Sequence, residues 1–293
     1  MRRRTCWTYV LTLLVAMSSL AQENKLKVYI SADMEGVGGV STLEVQAEPR
    51  GREYEKFCRI MTQEVNAAIS GAYDAGATEV LVSDSHGDGL NIDIELLDRR
   101  ARLIRAWPRP LAMMQGIDNT FGAVVFIGYH AGEGQANAVI PHDFNHNQIL
   151  KLNGVEVSEA GFNGAIAGDF DVPVVFLSGD QTIARQARDF FGPIETVAVK
   201  QAIGYSSAIM MHPEESQRLI RAGVKRGVER RAEMKPYKVV RPVKLEMTFF
   251  NIVKAEVVSY LPGVERTSGE TVVFIAHDMV EANKFLWVAN SVR

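Results

Sequence analysis

Short, continuous apolar runs alternate along this chain with stretches of helical periodicity, and several of the runs end in a polar cluster. Residues 26–30 lead into Asp33-Met34-Glu35-Gly36, residues 80–82 into Asp84-Ser85-His86, and residues 123–127 into Gly128-Tyr129-His130. Between the first two runs, Tyr54, Phe57, Cys58, Met61, Val65, Ala68 and Ile69 recur at the spacing of one helix face. This predicts a helix over 54–73 with Cys58 on its buried side. Gly76 sits just past the last turn, where glycine commonly closes a helix. Strands are predicted over 25–30, 79–83, 102–106, 123–127, 173–177, 196–199, 240–248 and 271–276. Helices are predicted over 159–167, 180–190, from Pro213 to about Arg231, and over 278–288. Asn153-Gly154 between alternating segments predicts a hairpin over 149–157, and the polar stretch 44–52 reads as a surface loop.

Strands alternating with helices, several of them wholly apolar, indicate an α/β fold with a central, mostly parallel sheet flanked by helices. A smaller C-terminal α+β portion is expected from about residue 200. In such sheets the ligand crevice lies beyond the carboxyl ends of the strands. Asp33, Glu35, His86 and His130 all follow predicted strands in that position.

The first residues change the picture of where the protein works. Arg2-Arg3-Arg4 precedes the largely apolar stretch 7–20, and Ser19-Leu20-Ala21 offers small residues for a peptidase. This predicts a signal peptide over 1–21 and an exported protein, periplasmic or secreted. The competing reading, a membrane anchor, needs a span of about 20 apolar residues. No later segment looks transmembrane. Export leaves Cys58 as the lone cysteine, so the fold rests on its core and not on a disulfide. A formal net charge of -3 gives no reason to expect nucleic acid as a partner.

Each candidate ligand has a plainer reading when taken alone. Asp33 and Glu35 could be turn formers or caps, although in extended backbone they would face the same side. Adjacent Ser85 and His86 do not suggest a triad, and no G-x-S-x-G elbow is present. His86 is a candidate ligand, with Asp84 or Asp88 to orient it. His130 alone would read as a satisfied core histidine. His142, in Pro141-His142-Asp143-Phe144-Asn145-His146, is a third imidazole ligand, a general acid/base or a loop residue. Glu159 heads a helix, where a capping role competes with ligation. His212 and His277 read as local caps or surface residues. No H-E-x-x-H motif occurs. Carboxylates and imidazoles converging at open strand ends are what a two-metal hydrolytic site requires. From the residues alone, the reading is an exported metal-dependent hydrolase.

Several segments together carry a more specific likeness. They are Ser31-Ala32-Asp33-Met34-Glu35-Gly36, the stretch from Glu79 to His86, Gly128-Tyr129-His130-Ala131, and Glu159-Ala160-Gly161-Phe162-Asn163. Asp171-Val172-Pro173-Val174, Ala198-Val199-Lys200-Gln201 and Leu261-Pro262-Gly263 extend it towards the C-terminus. In order and spacing the chain resembles the DppA-type D-aminopeptidases, binuclear zinc peptidases, from about Lys27 onwards. The resemblance implies two zinc ions per subunit, with Asp33 bridging them. Glu35 and His130 would complete one site and His86 and Glu159 the other, with His142 as the catalytic histidine. It also implies short-peptide substrates, D-Ala peptides among them, and a ring-shaped homodecamer. The signal peptide and the additional imidazole of His146 depart from the family pattern. Two competing functions are a metallohydrolase of another amide or a phosphoester, and a non-catalytic periplasmic peptide- or metal-binding protein.

Overall fold

The computed structural model describes residues 25–292; the expected signal peptide over 1–21 lies outside them. In chain order the strands are β1 (Lys27–Ala32), β2 (Glu79–Asp84), β3 (Arg102–Ile104), β4 (Phe121–Ile127), β5 (Gln148–Leu152) and β6 (Val155–Glu156). They continue as β7 (Val174–Asp180), β8 (Glu195–Gly204), β9 (Ser207–Met210), β10 (Val243–Phe249), β11 (Val264–Arg266) and β12 (Thr271–Ala276). The helices are α1 (Tyr54–Asp74), α2 (Glu159–Asp169), α3 (Gln181–Phe191), α4 (Pro213–Glu229), α5 (Ile252–Val258) and α6 (Met279–Ser291). Among the described residues no helix is long and apolar enough to cross a membrane.

A seven-stranded sheet in the order β3-β2-β1-β4-β7-β8-β9 forms the centre, parallel except for β9. Helices α1 and α4 pack on each other and on this sheet, while α2 packs against α3 and α6. Covered on both faces, β1, β4 and β7 are buried almost throughout. That is why their sequences read as apolar runs with little alternation. The expected α/β architecture is therefore the observed one. Side-chain caps set several helix starts: Asp180 Oδ1 accepts from the Thr182 and Ile183 amides, and Asp278 Oδ1 from Glu281. His212 caps α4 ahead of Pro213, as its sequence position suggested.

A second, antiparallel sheet has the order β11-β12-β10-β5-β6. Its division from the first sheet does not fall near residue 200. Strands β8 and β9 and helix α4 belong with the first sheet, and the second takes the β5–β6 hairpin from mid-chain. Leu150 pairs with Met247 across the join, a long-range pairing that local periodicity does not encode. Other departures are local. The strand expected over 102–106 ends at Ile104, because Ala106 takes a left-handed backbone (φ 62°). Leu43–Ala47 forms a π-helical turn inside the expected loop. Cys58 is half-buried instead of buried, and burial still pushes its thiol up, which leaves it unreactive.

Two buried charged residues hold the loop after β1. Lys200 of β8 donates from Nζ to the carbonyls of Glu35, Val37 (3.1 Å) and Val40 (2.7 Å). Glu64 of α1 accepts from the Gly38 amide at 3.0 Å. Burial, partly offset by that amide and by Lys200, raises Glu64 to about 7. Between the ordinary 4.5 and about 7 the folded chain keeps a proton that the unfolded chain has lost. Stability therefore falls as pH rises through that window, by an amount on the order of 3 kcal/mol. Glu64→Gln keeps an acceptor for Gly38 and removes the titration. Between pH 4.5 and 7 the wild type should lose stability relative to the variant in denaturant titrations; parallel curves would refute the assignment.

Candidate metal centre

Strand register sets the level of the site. Ala32 pairs with Asp84 on one side and with Ile127 on the other, so the chain leaves β1, β2 and β4 at one height. From β1 the chain proceeds to β2 and β3 on one side and to β4, β7 and β8 on the other. The gap between β1 and β4 is thus the topological switch point, where open α/β sheets bind ligands. Two glycines let the exits of β1 and β4 touch. The Gly36 amide donates to the Gly128 carbonyl at 2.7 Å, and a Cβ on Gly36 would lie 2.0 Å from the Tyr129 carbonyl oxygen. Gly128 has φ +69°, and a Cβ there would lie 2.2 Å from the Asp33 carbonyl oxygen.

The five expected ligands and His142 converge at this point, and all six are buried. His86 Nδ1 lies 2.9 Å from Glu35 Oε2 and 3.3 Å from Asp33 Oδ1. His130 Nε2 lies 3.3 Å from Asp33 Oδ2 and 3.5 Å from Glu159 Oε2, and His142 Nε2 lies 3.6 Å from Glu35 Oε1. Three triads have donor atoms within 4.8 Å of one another: Asp33–Glu35–His86, Asp33–His130–Glu159 and Glu35–His130–His142. About the shared Asp33, the resemblance paired Glu35 with His130 and His86 with Glu159. The geometry places Glu35 within reach of both His86 and His130, and Glu159 beside His130, around the shared Asp33. Glu35 reaches donors at both the β2 and the β4 exits, whereas Glu159, entering from the head of α2, meets the β4 exit.

The imidazoles are fixed from behind by backbone carbonyls, which can only accept. His86 Nε2 donates to Ala47 at 2.7 Å, His130 Nδ1 to Ala131 at 3.0 Å, and His142 Nδ1 to Ile140 at 2.9 Å. Each ring therefore presents its other nitrogen to the carboxylates, the arrangement by which outer partners orient metal-binding histidines. Neither Asp84 nor Asp88, the expected orienting partners of His86, bonds its ring. Asp84 instead accepts from Asn91 and Ile92 and shapes the loop, and Asp88 accepts from Leu90. The residue that orients His86 comes from the π-helical turn. Glu159 accepts from the Phe144 amide at 2.6 Å. Asp33 Oδ2, Glu35 Oε2 and His130 Nε2 have close ionic neighbours but make no well-directed hydrogen bond among the described residues. Buried polar atoms of this kind are normally satisfied, and divalent cations among them would satisfy all three.

Electrostatics agree with that fit. Burial works against the charged forms of His86 and His130, yet the neighbouring carboxylates raise both well above the usual histidine range. Burial would raise Glu35, but His86, His142 and His130 hold it well below the carboxylate range. Burial raises Glu159, with His130 opposing. The cluster attracts positive charge, which protons supply when no cation does. His142 behaves differently: burial and the adjacent His130 push it down to about 3, so it is neutral under ordinary conditions. It stacks between His130 (ring centroids 3.9 Å apart) and the exposed His146 (4.3 Å).

A cavity of about 390 Å³ opens over the cluster. Its walls include residues that sequence reasoning passed over: Trp107, Asn283, Leu286, Trp287 and Asn290. The two indoles lie 5.0 Å apart. The available signal was an amide–apolar–amide stripe at helical spacing in the closing helix, obscured because α6 also has apolar residues on its other sides.

Comparisons with known proteins converge with the geometry. Residues 26–288 match the model of peptidase family M55, D-aminopeptidase. The curated D-aminopeptidase of Bacillus subtilis (strain 168) is 36% identical over 270 residues, which cover 90% of this chain and 96% of that protein. A solved structure of the Zn-dependent D-aminopeptidase DppA from Bacillus subtilis, described as a self-compartmentalizing protease, is similar with a TM-score of 0.88. The identity to it is 34%, covering 91% of this chain and 97% of that one. With the family model spanning the central sheet and the whole cluster, this chain belongs to the D-aminopeptidase family and is a peptidase.

Proposed function

We propose that the protein removes the N-terminal residue, a D-amino acid such as D-Ala, from short peptides, using two zinc ions, and that it acts outside the cytoplasm. The observation that carries this reading is the overlap of the donor triads: Asp33, Glu35 and His130 each belong to two at once. Asp33 would bridge, with Glu35, His86, His130 and Glu159 completing the two ion sites. Oxygen and nitrogen donors suit zinc, and the similar solved protein is Zn-dependent. Zinc held there supplies a Lewis acid that polarises the scissile carbonyl and activates water. His142 acts beside the ions without holding them. With Nδ1–H committed to the Ile140 carbonyl, its Nε2 is an acceptor facing the centre, 3.6 Å from Glu35 Oε1. There it can accept a hydrogen bond from the attacking water and steady the charge that develops as the amine leaves. A phosphoester substrate fits less well, because among the described residues no lysine or arginine lines the cavity.

Export rests on the residues before the described structure, and a cell-wall peptide would be a substrate met on that route. We also propose a homo-oligomeric ring of ten subunits. Supporting it are the similar protein's description as self-compartmentalizing and the open β8–β9 edge, where Ile203, Tyr205 and Ile209 are 68%, 57% and 61% exposed.

Matched D-Ala and L-Ala p-nitroanilides test the activity. D-selective cleavage, abolished by chelation and restored by zinc, is expected. Cleavage of the L-form alone would overturn the stereochemistry, and metal-independent cleavage would overturn the centre. His142→Ala should lower kcat by roughly 10²–10⁴-fold while zinc content by elemental analysis stays at two per subunit; a binding protein would have no turnover to lose. Light scattering on purified protein should give about ten times the subunit mass, and a monomer would refute the ring.

A further inference from the structure

The closing helix faces the cavity with one stripe: Asn283, Leu286, Trp287, Asn290 and Ser291, at spacings of three and four residues. Exposure rises along it, from buried Asn283 and Leu286 through half-buried Trp287 and Asn290 to exposed Ser291. The stripe thus runs from the floor of the cavity to its rim. Asn283 is 1% exposed. Its Nδ2 donates to the Pro110 carbonyl at 3.1 Å, which fixes the orientation of the amide, because a carbonyl only accepts. Oδ1 is then an acceptor, and it has no partner among the described residues. Asn290 Oδ1 is likewise buried and without a partner among them. An unmatched buried acceptor at a cavity wall is costly unless a ligand supplies the donor. Seven residues of helix advance about 10.5 Å, the length of about three residues of extended peptide. Between the amides, Leu286 and the Trp107–Trp287 pair form an apolar surface.

We propose that this face of α6 is the peptide-recognition wall of the centre. Asn283 Oδ1 accepts a hydrogen bond from the N-terminal amine of the substrate. Leu286 and the paired indoles pack its first side chain, and Asn290 accepts from an N–H nearer the rim. The assignment rests on the peptidase reading above, and it names the substrate contacts that the metal ligands do not provide. The rival amine partner is Glu48, an exposed carboxylate on the cavity lining that belongs to none of the metal triads.

The test compares wild type, Asn283→Leu, Asn290→Leu and Glu48→Gln, each checked for zinc content and thermal midpoint. Two readouts are used: steady-state hydrolysis of D-Ala p-nitroanilide and calorimetric binding of the dipeptide D-Ala-D-Ala. Asn283→Leu should raise KM or lower kcat/KM roughly ten- to a hundredfold and weaken dipeptide binding similarly, with zinc retained, as expected for one lost charge-assisted hydrogen bond. Asn290→Leu, at a half-buried position, should produce a smaller loss of the same kind. If both variants stay within twofold of wild type, or if only Glu48→Gln loses affinity, the assignment is wrong. Should the wild type bind the dipeptide without cleaving any anilide, loss of that binding in Asn283→Leu would uphold the wall while the catalytic reading fell. Absence of both binding and cleavage in the wild type would overturn both.

Discussion

Mutual repulsion among three buried carboxylates is the constraint on which the rest of this structure turns. Asp33, Glu35 and Glu159 are 2%, 2% and 4% exposed, and their oxygens share the same few imidazole neighbours. Unpaired charges so far from water are strongly disfavoured. The fold relieves this only in part, by raising the affinity of His86 and His130 for protons. Divalent cations relieve it fully, and the carbonyls of Ala47 and Ala131 have already turned each ring to offer a lone pair. Metal binding and proton release are consequently two sides of one equilibrium at this site.

Such a cluster persists only if its backbone cannot retreat, and the loop after β1 is held accordingly. Lys200 draws three carbonyls of that loop onto one buried ammonium, and Glu64 holds the Gly38 amide from the helix side. Gly36 and Gly128 then allow the β1 and β4 exits to cross in contact. Any side chain at either glycine would push Asp33 and Glu35 away from His130. A shift of an ångström is large against the tolerance of metal coordination. Rigidity at the strand ends thus follows from packing that has no direct part in the chemistry.

How far the sequence discloses this arrangement depends on the range of the interaction involved. Apolar runs followed by Asp33, His86 and His130 reveal both the parallel sheet and the end at which the site lies, because both are properties of consecutive residues. Which ligand sits beside which does not follow from strand order. It depends on how Glu35 reaches both His86 and His130 and on the approach of Glu159 from a helix more than a hundred residues later. The Ala47 carbonyl was hidden for a similar reason: a backbone oxygen carries no signature in the sequence. The β5–β6 hairpin was legible from Asn153-Gly154, yet its partner β10 was not, since pairing across about a hundred residues leaves no local period. The wall formed by α6 combines both difficulties, being an ordinary helix locally and a binding surface only through its contact with Pro110 and the indole of Trp107.

The separation of these parts has a consequence for specificity. Reaction chemistry resides in loops at the ends of β1, β2 and β4 and at the head of α2, all tied to the central sheet. Recognition of the substrate chain falls to α6, which follows the second sheet in sequence and reaches the cavity by packing against α2. Substitutions along the α6 stripe change the cavity wall without replacing any donor atom of the cluster. A metal ligand, in contrast, cannot change without disturbing the charge balance of all three carboxylates. Substrate preference in this chain is therefore free to differ from that of similar proteins while the metal centre is retained, and the exposed imidazole of His146, stacked on His142 at the cavity lining, is a second place where that freedom is available.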